Sequence, residues 1–296
     1  MCPPGCRTAT RCETTLTKRS ASGGRVYLAI GAVTGLAGGL FGVGGGFMLM
    51  PLQVMWARVG ARRASSTSLA AIIPMAVVGA AVYYLGKNGA HQVDLAVAFF
   101  LVLGGMAGAY VGAWVAPHVP KHTLHIVLSV LLVMAGLREL LGIIPGGSAS
   151  VHGTGAVIST LGYMLIVLAG FVIGIVSGIT GVGGGIFLVP AMVTGFGIAQ
   201  RVAQGTSLVA ILPTVAVGAF AHYRRGNVDL GAALSMGLAG MPAALIGALA
   251  ALWLPQSILA GLFGLMLLAA AVPMWPKRVK LAPIRELPLQ SMEAHK

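Results

Sequence analysis

The sequence predicts an all-α polytopic membrane protein whose two homologous halves are inverted repeats. Three observations lead to this prediction: the composition, a duplicated glycine-rich motif and the distribution of Lys and Arg. The 296 residues are 57% apolar and only 8% charged, whereas soluble domains carry about 25% charged residues. Since this chain cannot cover a surface that faces water, most of its outer face must contact lipid.

Apolar segments recur along the chain, most of them near the ~20 residues that a helix needs to cross a bilayer. They are Ser68–Gly86, Asp94–Ala116, Leu124–Ile144, Val157–Gly174, Ser207–His222, Asp229–Leu252 and Ile258–Trp275. The shortest is Ser207–His222. Asp94 and Asp229 each begin a segment, where a carboxylate is expected to cap the first turn of a helix. The four tryptophans fall near segment ends, as interfacial residues do.

A shift of 139 residues lays the first half of the chain over the second without a gap. "GLAGGLFGVGGGFMLMP" (Gly35–Pro51) then matches "GIVSGITGVGGGIFLVP" (Gly174–Pro190), and "TSLAAIIP" (Thr67–Pro74) matches "TSLVAILP" (Thr206–Pro213). Such a register indicates an internal repeat. The expected organisation is a disordered cytoplasmic tail (1–24), a first transmembrane repeat (25–144), a linker (145–156), a second transmembrane repeat (157–275) and a cytoplasmic tail (276–296).

Each half begins with an apolar stretch too long for one span, Val26–Ala57 or Val157–Phe196, with the glycines at its centre. If the stretch crosses the membrane once, the halves are parallel, and 10 flanking Lys and Arg residues face the cytoplasm against 5 outside. If it turns back, the split is 13 to 2. Because cytoplasmic connections carry the excess of Lys and Arg, we predict inverted halves with both termini cytoplasmic. Each half has a broken or re-entrant helical hairpin plus three transmembrane helices.

The glycine turns are candidate substrate-binding sites for an anion. A loop at membrane depth is tolerated only where it is buried in protein or lines a cavity, and glycine allows the sharp turn and a close backbone approach. Each turn leads into a half-helix, whose N-terminus offers N–H donors and about half a positive charge. The alternative is that these glycines serve close helix packing. The candidates are Gly42, Gly44, Gly45, Gly46, Gly181, Gly183, Gly184 and Gly185.

A second duplicated feature is the polar pair Thr67-Ser68, repeated as Thr206-Ser207, with Gln204 beside the second copy. These hydroxyls and the Gln204 amide are candidate donors to the same anion. Ser and Thr are also good helix N-caps, so capping is the alternative interpretation of both pairs.

Ionisable residues within the spans are scarce, and such residues are functional candidates in membranes. Glu139 is the one acidic residue inside a predicted span. It is a candidate for coupling transport to a proton, together with His125 and His222; the alternative is that Glu139 forms an interfacial ion pair with the adjacent Arg138. The three cysteines lie in the first 24 residues and the one histidine cluster lies at a span's edge, so we expect no metal site, no cofactor and no enzyme active centre.

The net charge of +13 does not indicate nucleic-acid binding. The basic residues lie in short connections and at both ends, where topology signals belong. They form no basic face with interleaved aromatic residues. No Lys follows the glycine clusters as a nucleotide-binding loop requires.

The duplicated pattern GxxxGxxGVGGGxxxxP, each copy followed by TSL and a proline, resembles the TauE/SafE sulfite exporter family, also called the toluene sulfonate uptake permease family. The resemblance covers about 26–275. It implies an inner-membrane secondary transporter for a small sulfur-containing anion such as sulfite, thiosulfate or an organosulfonate, coupled to an ion, with a proton the expected one. An anion channel is the alternative, since it would use the same helix ends but needs a continuous wetted pore. The oligomeric state does not follow from the sequence.

Overall fold

The computed structural model describes residues 9–86, 92–116, 129–130, 132–137, 139–140 and 160–274 of the protein. For 9–23, 61–62, 160 and 272–274 it describes the backbone alone. The predicted linker (145–156), residues 1–8 of the first tail, the whole second tail (276–296) and His125 lie outside these residues.

Helices account for nearly all of the described chain, and no strand occurs within it. In chain order they are α1 (Ala9–Phe41), α2 (Gly46–Met55), α3 (Ala61–Leu85), α4 (Leu95–Val115), α5 (helical at 129–130, 132–137 and 139–140), α6 (Thr160–Thr180), α7 (Gly185–Pro190, continued by the π-helix Ala191–Gly195), α8 (Gln200–Tyr223), α9 (Leu230–Trp253) and α10 (Gln256–Met274).

Six helices of the described chain are long and apolar enough to cross a membrane: α1, α3, α4, α6, α8 and α9. The all-α polytopic fold predicted from the composition is therefore confirmed. Helix α1 begins at Ala9, inside the segment 1–24 that we expected to be a disordered tail.

Helices α3 and α8 begin well before the apolar segments that predicted them. Their N-caps are Gly60 and Ala199, so Thr67-Ser68 and Thr206-Ser207 are the seventh and eighth residues of their helices. The capping interpretation of these pairs is wrong. The error arose because polar residues before each pair, such as Ser65 and Gln204, are already helical and pack inside the protein, where hydropathy gives no signal. Asp94 and Asp229 do cap α4 and α9, accepting hydrogen bonds from the N–H groups of Val97 (3.0 Å) and Ala232 (3.1 Å).

The chain reverses direction at each glycine cluster. Gly42, Gly44 and Gly45 have φ of 69°, 70° and 77°, and Gly181, Gly183 and Gly184 have φ of 73°, 85° and 79°, the left-handed region that side chains disfavour. After the first turn, Gly45 lies against Gly38 and Thr34 of α1, and after the second, Gly184 lies against Ser177 and Ile173 of α6. Each half therefore opens with a hairpin, α1–α2 or α6–α7, of two antiparallel helices.

The long helix of each hairpin packs in parallel on a helix of the other half. A side chain added at Gly31, Gly35 or Gly39 of α1 would meet the α9 backbone at Met236, Gly240 or Ala244. Glycines 104, 108 and 112 of α4 meet the backbone of α6 in the same way. Because glycines four residues apart line one helix face, the backbones approach closely, as in membrane helix pairs with small residues at the interface. We call these contacts the α1–α9 and α4–α6 seams.

Helices α3 and α8, which correspond under the 139-residue shift, run antiparallel at the centre. Gly79 faces Leu208, and Gly218 faces Leu69. As the residue number rises along α3, the facing residue number therefore falls along α8.

Candidate functional site

The two glycine turns meet inside the protein. A Cβ at Gly46 would touch the carbonyl of Val182, and a Cβ at Gly185 would touch the backbone of Val43. Helices α2 and α7 begin at these residues, so their N-termini face one another across the contact. All eight predicted turn glycines are buried: Gly42, Gly44, Gly45, Gly46, Gly181, Gly183, Gly184 and Gly185.

Two isoleucines fill the space between the turns. Ile72 Cδ1 lies 2.5 Å from the Cβ position of Gly46 and 2.9 Å from that of Gly183, and Ile211 Cδ1 lies 2.5 Å from that of Gly185. Both isoleucines are fully buried, and each is the twelfth residue of its helix, which puts the contact near mid-span. The centre is closed in this structure. The two isoleucines were not predicted as site residues, although the repeated segments TSLAAIIP and TSLVAILP contain them.

The serines of the duplicated pair connect the two halves. Ser68 Oγ donates to the carbonyl of Gly181 at 2.6 Å, and it lies 2.8 Å from the carbonyl of Ser65. Ser207 Oγ donates to the carbonyl of Gly42. A hydroxyl has one hydrogen, and in this structure a glycine-turn carbonyl accepts it. These serines therefore hold each turn against the central helix of the other half.

The threonine that precedes each of these serines, Thr67 or Thr206, also connects the two halves. The N–H of Asp94 donates to Thr206 Oγ1 at 2.9 Å, and the N–H of Asp229 donates to Thr67 Oγ1 at 3.1 Å. Each bond ties the start of α4 or α9 to the central helix of the other half. Arg63 also lies 3.4 Å from the Asp229 carboxylate, but both side chains are exposed and such pairs contribute little.

Gln204 lies beside the first glycine turn, against Gly42. Its Oε1 accepts a hydrogen bond from the Tyr83 hydroxyl at 3.1 Å, and its Nε2 is buried without a partner. Tyr83 Oη also lies 3.2 Å from the carbonyl of Gly39 near the end of α1. Tyr83 was not among the predicted site residues. The 139-residue shift would have found it, because it places Tyr83 over His222.

His222 makes the corresponding contact in the second half. Its Nε2 lies 3.1 Å from the carbonyl of Gly178 near the end of α6. Because a carbonyl can only accept, Nε2 carries a hydrogen. Nδ1 is buried and has no partner. Among the buried polar side chains of the described residues, His222 carries the one imidazole.

Glu139 does not join the turns. It lies on α5, where its Cβ contacts Gly264 of α10. Within the described chain, no group of three His, Cys, Asp or Glu side chains is arranged to hold a metal ion. The elements that converge at the centre are thus two helix N-termini, two left-handed glycine turns, neutral polar groups and two isoleucines. Such a set can bind an anion through backbone N–H groups.

A family model described as "Sulfite exporter TauE/SafE" matches residues 6–139 and 166–294. The chain is similar to YunE of Bacillus subtilis, described as a probable membrane transporter protein, with 25% identity over 69% of this chain and 80% of YunE. A probable membrane transporter protein of Xylella fastidiosa is 27% identical over 83% of this chain and 93% of its own. YdhB of Bacillus subtilis, also a probable membrane transporter protein, is 34% identical, but the match spans 37% of this chain and 44% of YdhB. No solved structure matches the chain.

Proposed function

The chain belongs to the TauE/SafE sulfite exporter family and is a multi-pass membrane transporter, and we propose that it carries a small sulfur-containing anion, such as sulfite, thiosulfate or an organosulfonate, across the inner membrane. The meeting of the two glycine turns carries this proposal. Two helix N-termini that face each other near mid-span concentrate N–H donors and partial positive charge where an anion would otherwise have no stabilising group.

In this proposal the glycine turns and Gln204 contact the anion, while the duplicated serines and threonines position the turns. The Gln204 amide has an unpartnered donor next to Gly42. The hydroxyl hydrogen of Ser68 is already donated to Gly181, so a direct contact with the anion would first require that bond to break.

A carrier is favoured over a channel by the packing of the centre. Ile72 and Ile211 occupy the space between the turns, whereas a channel needs a continuous wetted path. A carrier opens such a centre to one side at a time. The antiparallel course of α3 and α8 supports the inverted repeat that this motion requires, because equivalent spanning helices of opposite direction imply a two-fold axis in the membrane plane.

Ion coupling, most simply to a proton, belongs to the same proposal. His222 is the leading candidate of the three predicted residues, since it is buried in a spanning helix and has an unpartnered ring nitrogen. Glu139 lies on α5 away from the turns, and His125 lies outside the described residues. Both termini are proposed to be cytoplasmic, from the Lys and Arg distribution.

The proposal is tested by substrate uptake into proteoliposomes containing the Gly184→Leu variant. A Cβ at Gly184 would meet side-chain atoms, of Ile173 at 3.3 Å and Ser177 at 3.4 Å, so the fold should tolerate the change at about 1–2 kcal/mol of left-handed strain and about 1–3 kcal/mol for packing the larger side chain. The larger side chain should occupy the space that the anion needs, and sulfite, thiosulfate or sulfonate uptake should fall at least tenfold. Gly45 is a poorer choice, because a side chain there would strike the Thr34 carbonyl.

The matched control is Gly261→Leu on α10, where an added Cβ has nothing within 4 Å. This variant should transport at the wild-type rate. If a well-folded Gly184→Leu protein took up substrate at the wild-type rate, the second glycine turn would not be part of the transport path. Saturable uptake and counter-transport by the wild-type protein would separate a carrier from a channel.

A further inference from the structure

A small cavity lies in the second half, between α4, α6, α8 and the second glycine turn, and in this closed structure it has room for about one water molecule. Gly105 and Gly170, which line it, are the middle residues of α4 and α6. Each is therefore about 15 Å from either end of its helix, which is half the thickness of a ~30 Å hydrocarbon core. Gly183 and Gly184 of the turn form one wall.

Ser177 presents an unsatisfied hydroxyl to this cavity. The residue is 1% exposed, its Oγ has no hydrogen-bond partner, and it lies 3.6 Å from the Cβ position of Gly184. A buried hydroxyl without a partner is destabilising, and a native protein with one calls for an explanation such as a ligand or water.

Thr214 brings a second hydroxyl to the same space. It lies on α8 directly after Pro213, and its Oγ1 donates to the carbonyl of Ala210 at 2.9 Å. A hydroxyl rotates about a single bond, so Thr214 can turn its hydrogen from Ala210 to a ligand. The two hydroxyls and the start of the 11-residue helix 185–195 thus offer donors to one cavity.

The first half lacks this site at the corresponding position. The 139-residue shift places Gly38 at Ser177 and Met75 at Thr214. Met75 is buried, and its Sδ lies 2.7 Å from the Cβ position of Gly240, so its side chain occupies the equivalent space. The two halves therefore differ at this position, and the duplication of the chain does not by itself account for the polar cavity.

None of the eleven residues that line the cavity is charged. The cost of removing an ion from water rises with the square of its charge, so a doubly charged anion costs about four times as much as a singly charged one. Neutral donors and one helix N-terminus, equivalent to about half a charge, match one negative charge far better than two.

Resting on the transport function proposed above, we propose that the cavity at Ser177 and Thr214 becomes, when the closed centre opens, an anion site additional to the contacts at Gln204, and that it takes a singly charged oxyanion in preference to a doubly charged one. A sulfonate, or sulfite carrying one proton, belongs to the first class. Sulfate, thiosulfate and unprotonated sulfite belong to the second.

The test compares two tetrahedral sulfur anions of similar size, methanesulfonate with one charge and sulfate with two. Affinities are measured by calorimetry on the full-length protein in lipid nanodiscs. We expect methanesulfonate to bind at least tenfold more tightly than sulfate. Ser177→Ala should weaken methanesulfonate binding by roughly 10- to 150-fold, the effect of one hydrogen bond to a charged group. Ser235→Ala is the control, because this serine donates to the carbonyl of Gly231 at 2.8 Å in an exposed position on α9 and does not line the cavity.

Thr214→Val provides a second variant of nearly equal volume in case Ser177→Ala does not fold, and it should weaken methanesulfonate binding in the same direction. A pH series adds an independent readout. Lowering the pH converts sulfite to its singly charged form, so sulfite affinity should rise on acidification, while that of methanesulfonate, which does not titrate, should stay constant.

Sulfate binding as tight as that of methanesulfonate, or unchanged affinity in a folded Ser177→Ala or Thr214→Val protein, would overturn the inference. If such proteins still transported a sulfur anion, the proposed function would stand without this site. If the wild-type protein neither bound nor transported any of these anions, both proposals would fail together.

Discussion

The hydroxyls of Ser68 and Ser207 illustrate how a single residue can hold two halves of a protein together. Each donates to the carbonyl of the first glycine in the opposite turn, Gly181 or Gly42. The carbonyl of a residue with positive φ at the end of a helix has no partner in that helix, so the serine supplies it. The motif residues thus act as pairs across the halves.

At this scale we predict that Ser68→Ala lowers the free energy of unfolding by about 1–3 kcal/mol, because the buried Gly181 carbonyl loses its partner. Anion affinity should change little. Chemical or thermal denaturation alongside calorimetry on the same preparation separates the two effects. Ser207→Ala should behave alike, whereas the exposed Ser235→Ala should leave both quantities unchanged. A large loss of affinity with unaltered stability would instead make these serines direct anion ligands.

Among the elements, the lengths of α3 and α8 show what hydropathy can and cannot predict. The apolar cores of the spanning helices were predictable, because lipid selects for continuous apolar residues. The turns that precede them in α3 and α8 were not, because polar side chains there, such as Ser65 and Gln204, are buried against the glycine turns. Ile72 and Ser177 were equally invisible as site residues. An isoleucine in an apolar span cannot be distinguished by hydropathy from its neighbours. A serine in a helix becomes exceptional only when the structure shows that its hydroxyl has no hydrogen-bond partner.

Cross-linking tests the antiparallel course of α3 and α8. In a variant whose native cysteines are replaced, Leu69→Cys with Gly218→Cys should react readily with a short bifunctional reagent, since the Leu69 side chain lies 3.3 Å from the Cβ position of Gly218. The control pair is Leu69→Cys with Leu208→Cys. Leu208 is ten residues, or about 15 Å, along α8 from Gly218. Parallel halves would place Leu69 level with Leu208, so preferential reaction of the control pair would contradict the arrangement.

For the whole molecule, the glycine repeat predicted where the centre lies, and the structure adds how the halves interlock. Each hairpin packs on a helix of the other half through the α1–α9 or α4–α6 seam. The matched contacts extend to Arg58 and Gly197, which correspond under the shift and share left-handed φ values of 53° and 66°. The departures from this symmetry, such as Tyr83 against His222, could not be interpreted from sequence because their partners come from distant segments.

Arg58 and Gly197 also test the orientation of the halves. Both are exposed and follow α2 and the π-helix after α7. With the native cysteines replaced, Arg58→Cys should react with a membrane-impermeant maleimide only from the cytoplasmic side, and Gly197→Cys only from the opposite side. This follows from inverted halves with a cytoplasmic N-terminus. Labelling of both positions from the same side would require parallel halves.

The α1–α9 seam has a consequence for how the protein is made. Helix α1 ends at Phe41 and its partner begins at Leu230, about 190 residues later. Protein synthesis proceeds at about 5–20 residues per second. The glycine-lined face of α1 is therefore without its partner α9 for roughly ten to forty seconds. During that interval it must rest against lipid, the insertion machinery or a temporary neighbour. The first hairpin cannot reach its final packing until α9 has been synthesised.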